Sequence, residues 1–90
     1  MNNTNDNKPI LGFFIDSNEF LIGEYFPDGS CTAEFRLVET YLGFHAEIYD
    51  DAFKLVLNPN LKKLWNMTKN INTMRDMESY LINIGLVKLD

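Results

Sequence analysis

Cysteine, histidine and tryptophan each occur only once in this 90-residue chain. A lone cysteine, Cys31, excludes an intrachain disulfide and suits a reducing compartment. With His45 the only imidazole, a nucleophilic Cys–His pair would need these two side chains within hydrogen-bond reach. Strand alternation instead turns Cys31 inward, as a small buried hydrophobe, and His45 outward. HExxH, GxSxG, CxxC, Gly-rich phosphate-loop and EF-hand patterns are all missing, so the common hydrolytic, redox and nucleotide-binding chemistries have no motif here. No apolar run approaches the roughly 18 residues of a membrane span. The first nine residues, Met1 to Pro9, lack both the basic and the apolar regions of a signal peptide. These absences describe a cytoplasmic, non-enzymatic protein with no cofactor, no metal and no membrane contact.

What is present is a globular composition with uneven charge. Hydrophobic residues make up 46% of the chain, and seven Phe, four Tyr and one Trp offer enough apolar area for one small core. The net charge is −5. Of the first 58 residues ten are acidic and three basic, whereas the last 32 hold five basic and three acidic. An acidic surface repels phosphate and so disfavours direct nucleic-acid binding, while it favours a protein with a basic surface.

The pattern predicts an α+β domain over residues 10–90, preceded by a disordered polar tail over 1–9. Strands are expected at Ile10–Asp16, at Phe20–Phe26, after Ser30, and at Tyr41–Tyr49, forming a four-stranded antiparallel meander. Pro27-Asp28-Gly29 predicts a three-residue hairpin loop with a type I turn and a glycine bulge. Continued regularly, that loop pairs Leu21 with Phe35. It puts Leu21 and Tyr25 on the apolar side with Cys31, Ala33, Phe35 and Leu37. Glu24, Thr32, Glu34 and Arg36 then share the polar side, with Phe20 and Ile22 outward. A register one residue away would bring Glu24 to the apolar side, and avoiding that burial favours the first. A tight turn at Glu39-Thr40 sets His45 opposite Glu34 and Glu47 opposite Thr32. Leu42, Phe44, Ala46 and Ile48 then point to the core.

Residues 51–57 fit either a fifth strand or a short helix, with helix slightly favoured. Helices are expected at 59–69, where Asn58 caps and Pro59 opens the first turn, and at 74–84, where Thr73 and Asp76 form a capping pair. Gly85 and Leu86 end the second helix, and Val87-Lys88-Leu89 can add an edge strand. Two or three helices then cover one face of the sheet.

The other face carries the functional reading. Glu24, Glu34, Tyr41, His45, Glu47 and Tyr49, with Asp50 and Asp51 at the edge, make an acidic surface studded with aromatics, the usual composition of a protein-binding hot spot. Glu34, His45 and Glu47 could also approach a divalent metal, although a solvated cross-strand pair of Glu34 with His45 explains the same residues. In size and charge the chain resembles small inhibitors from phages and mobile elements, including nucleic-acid mimics, and toxin-neutralising immunity proteins. A second reading is a DNA-binding regulator. Lys62, Lys63, Lys69 and Arg75 form a mild basic cluster, and the C-terminal helices would form a helix-turn-helix with Arg75, Ser79 and Asn83 exposed on the reading helix. A third is a structural subunit of a larger assembly, since the sequence leaves the oligomeric state open.

Overall fold

A computed structural model describes residues 8–67 and 70–89. The expected tail lies outside the described residues except for Lys8 and Pro9, and so does the end of the first helix beyond Met67. Strands β1 (Ile10–Asp16), β2 (Glu19–Tyr25), β3 (Cys31–Thr40) and β4 (Gly43–Glu47) form the expected antiparallel meander. A 3-10 helix, Asp50–Leu57, follows, then α1 (Pro59–Met67), α2 (Met74–Asn83) and the two-residue β5 (Val87–Lys88). β5 joins parallel to β1, giving one mixed sheet in the order β4-β3-β2-β1-β5. The ambiguous 51–57 segment is helical, with Ala52 and Leu55 turned to the core and Phe53 and Leu57 turned away.

The helix ends follow their local chemistry. Asn58 Oδ1 accepts from the Asn60 N–H at 2.8 Å, and Thr73 Oγ1 accepts from the Asp76 N–H at 3.1 Å. α2 ends as the Gly85-Leu86 pair predicts. The Leu86 N–H donates to the Leu81 carbonyl and the Gly85 N–H to that of Ile82, the two bonds of a Schellman motif. Leu61 and Leu64 of α1 and Met77 and Leu81 of α2 are fully buried against one face of the sheet. With Phe13, Phe20, Ile22, Phe35 and Leu37 they form a single core.

The sheet register departs from expectation at one point. The 26–30 loop forms as predicted, with the Phe26 N–H bonded to the Ser30 carbonyl, the Gly29 N–H to that of Phe26, and Gly29 at φ 91°. Tyr25 accordingly pairs with Cys31. The register then shifts by one residue between Glu24 and Tyr25, so Glu24 pairs with Ala33, Ile22 with Phe35 and Phe20 with Leu37. Phe20 and Ile22 therefore lie fully in the core and are not outward, and Leu21 and Tyr25 lie on the open face. Burying a Phe and an Ile gains about 1.5–3 kcal/mol each. Glu24 costs little there, because it sits at the end of the sheet and accepts a 2.8 Å bond from the Thr32 hydroxyl.

The β3–β4 turn also moves. Tyr41 and Leu42 form its tip, Arg36 faces Glu47 and Val38 faces His45, so His45 does not face Glu34. The shift is two residues on each strand, which keeps His45 and Glu47 on the open face but takes Leu42 out of the core to 83% exposure. Cys31 is likewise exposed, not buried.

Gly23 stands where a side chain cannot fit. A Cβ there would collide with the Ala33 carbonyl oxygen and lie 3.2 Å from the Tyr25 ring. Because the obstacle is backbone, Gly23→Ala should cost roughly 1–3 kcal/mol. Urea unfolding would measure this, and a neutral result would mean that β2 and β3 are not so closely apposed.

Candidate acidic face and adjoining cleft

The register arranges the open face in cross-strand rows. Asp16, Glu19, Val38 and His45 form one, and Phe14, Leu21, Arg36 and Glu47 the next. A third holds Gly12, Gly23 and Glu34, and a fourth Ile10, Tyr25 and Cys31. Four carboxylates thus share the face with one guanidinium. Arg36 lies 3.9 Å from Glu19 and directly faces Glu47. At this separation and exposure the Arg36–Glu19 pair contributes little to stability, on the order of 0–1 kcal/mol. Its position matters more, since it sets a cation inside the acidic field.

Phe14, Leu21 and Val38 are half-buried between these charges. Tyr25 is nearly covered: its ring meets Phe14 edge-on at 4.8 Å and lies over Gly23, and its hydroxyl donates to Glu34 Oε2 at 2.5 Å. A strand glycine here makes room for the neighbouring ring. The bond fixes the Glu34 carboxylate against the sheet. Phe14, Leu21, Tyr25 and Val38 are not among the residues that the sequence pattern singles out. The signal for them is that β1 is apolar at adjacent positions, Phe13 and Phe14, so both faces of the sheet carry aromatics.

Of the residues that the sequence pattern does single out, Glu34, His45 and Glu47 share the open face. Glu24 leaves it for the core side. Tyr41 sits at the hairpin tip with 96% of its surface exposed. Tyr49, Asp50 and Asp51 lie past the end of β4, where the chain turns under the sheet into the 3-10 helix. There Ile48, Tyr49, Asp50, Phe53, Val56 and Trp65 line an open cleft of about 480 Å³. It lies just past the end of β4, and Trp65 connects it to the core through the Phe35 ring at 5.7 Å.

The arrangement limits the chemistry. Cys31 and His45 share a face but sit at opposite ends of it. Cys31 is seven residues from Val38, the partner of His45, or about 20 Å along a strand. The slight desolvation of this exposed thiol first, and then the carboxylates of Glu34 and Asp51, push Cys31 above its usual value, opposite to what a nucleophile needs. Arg36 stands across from Glu47 and separates it from Glu34. Among the described residues no three potential metal ligands come together. On the far side of the molecule Lys62, Lys63, Arg75, Ser79 and Asn83 are exposed.

No family model, no curated protein and no solved structure matches this chain.

The Tyr25–Glu34 contact has a pH signature. Burial, then the bond and the charge of Glu34, push the Tyr25 phenol well above its ordinary value of 10.0. Above that value the unfolded chain releases a proton that the folded chain keeps, so stability falls as pH rises beyond about 10. Tyr25→Phe should flatten this alkaline slope in urea unfolding curves. An identical slope in the variant would show that Tyr25 is not the group responsible.

Proposed function

We propose that this chain is a non-enzymatic protein-binding module of the cytoplasm, an acidic inhibitor that covers a basic surface of a partner protein. The observation that carries the reading is the composition of the open face. Asp16, Glu19, Glu34 and Glu47 stand in rows around half-buried Phe14, Leu21 and Val38, with Arg36 as the one cation among them. Charge of one sign steers a partner of the other and rejects like-charged surfaces, and the apolar strip supplies contact area once water is expelled. Carboxylates held on a rigid sheet can occupy a groove shaped for phosphates. A nucleic-acid-binding protein is therefore the partner class that this face suits best, and an inhibitor from a phage or mobile element, or an immunity protein, is the physical type. Arg36 adds selectivity, because a uniformly basic surface meets repulsion at that point. Among the described residues no helix is long and apolar enough to cross a membrane, which agrees with a face that works in water.

The test begins with affinity capture from the native host and identification of the bound protein. Asp16→Lys combined with Glu47→Lys should then weaken binding at least about tenfold, and wild-type affinity should fall as salt rises. Unchanged capture by the folded double variant would sink the proposal. Random duplex DNA offers the opposite control. Appreciable affinity that falls steeply with salt would favour the DNA-binding regulator and its α1 and α2 cations.

A further inference from the structure

We infer that the chain self-associates through β4, two copies pairing antiparallel about His45 so that the hairpin tip of each enters the 3-10-helix cleft of the other. This goes beyond the binding of a basic partner and does not depend on it. Three features left over by the monomer fold lead to it.

The first is the unguarded sheet edge. β5, at the far edge, is only two residues long and carries Lys88, both ordinary protections against edge pairing. β4 is five residues long, pairs with β3 without a bulge, and contains neither lysine nor proline. Among the described residues no strand lies on its outer side.

The second is the tip. Tyr41 and Leu42 are the most exposed large hydrophobic residues described, at 96% and 83%. The turn does not call for them. Its positive backbone angle falls on Gly43, at φ 116°, and neither Tyr41 nor Leu42 has a positive φ, so polar residues would make the same turn. The third is the cleft beyond the other end of β4, where Ile48, Tyr49 and Phe53 are 40%, 56% and 63% exposed.

Pairing two β4 strands about His45 joins these features. Glu47 then faces Gly43 of the second copy, and the Tyr41-Leu42 tip that precedes this glycine comes beside Ile48 and Tyr49, which follow Glu47. Ile48 and Tyr49 line the cleft, so the incoming tip arrives at its rim. The two-fold axis makes the same contact twice. Three aromatics at these exposures, with roughly 200 Å² each, offer on the order of 400 Å² per copy. Leu42, Ile48 and the strand edge bring the symmetric pair to about 1,200 Å², the lower bound of a specific interface.

The net charge of −5 per copy does not forbid the contact. Glu47 is the only charged residue in β4, and it meets a glycine. The two Glu47 residues stand about 13 Å apart along the seam, beyond the roughly 8 Å screening length at physiological salt. The product is a continuous ten-stranded sheet that presents the acidic face twice.

Sedimentation equilibrium of the full chain from about 1 to 500 µM should show a species of twice the 10.5 kDa chain mass. Raising salt should leave its dissociation constant unchanged or lower it, the reverse of binding to a basic partner. Leu42→Asp and Phe53→Ser, both at exposed positions, should each raise that constant at least about tenfold. The register has its own test. In a Cys31→Ser background, His45→Cys should oxidise to a disulfide-linked dimer, since facing Cα atoms lie about 4.5–5.5 Å apart, within disulfide reach. Glu47→Cys, which faces Gly43, should not cross-link comparably. A monomer throughout the concentration range overturns the inference. So does a dimer indifferent to both surface variants, or one that cross-links as readily through position 47 as through position 45.

Discussion

The molecule depends on a one-residue shift of register just past the β2–β3 loop. The loop alone would put Leu21 and Tyr25 against Phe35 and Leu37, leaving Phe20 and Ile22 in solvent. The shift between Glu24 and Tyr25 exchanges the two sets, so that the largest apolar side chains of β2 meet those of β1 and β3 on one face. A one-residue slip in a strand turns every side chain over, which is why so local an irregularity decides the character of both faces. The helices can cover only one face, and the shift determines which one they cover.

The open face inherits its properties from that choice. Tyr25 comes to lie over Gly23 and against Phe14, and reaches Glu34. Leu21 comes beside Arg36, with Glu47 beyond it. Charges and half-buried apolar side chains therefore alternate, and the face is not simply acidic. On the proposed reading, such a surface suits a protein better than an ion. Its carboxylates are separated by Arg36 and by strand geometry, too far apart to converge on one cation but well placed to match a spread of basic groups.

Most of the fold can be read from sequence because its signals are local. Pro27-Asp28-Gly29 specifies a loop, Asn58-Pro59 and Thr73 start helices, and Gly85-Leu86 ends one, each through bonds within a few residues. The register of β2 is not local. Phe20-Leu21-Ile22 is apolar at three successive positions, so alternation does not distinguish the two faces, and the choice falls to Glu24 alone. A carboxylate is expected to avoid the core side. The structure shows why that expectation fails: the last position of a core-facing row is near solvent, and the Thr32 hydroxyl satisfies Glu24 there. The same ambiguity hides Phe14 and Tyr25 as members of the open face. Glu34, His45 and Glu47 are legible as members of it, since the β3–β4 turn moves by an amount that preserves alternation.

The two edges of the sheet show a further asymmetry that the core does not explain. At one, β5 is a strand of two residues with a lysine paired to Glu78 at 3.2 Å, a short and charged border. At the other, a regular strand runs between an apolar hairpin tip and an apolar cleft. Exposed apolar side chains are ordinary when scattered, but a group aligned along one unpaired strand is harder to attribute to chance. A chain this small has little core to spare, and leaving Tyr41, Leu42, Tyr49 and Phe53 in water forgoes burial that would stabilise it. The monomer therefore accounts for the acidic face and for the helices behind it. The β4 border is best understood as belonging to a larger assembly, in which the surface that the sheet leaves open at its edge is closed by a second copy.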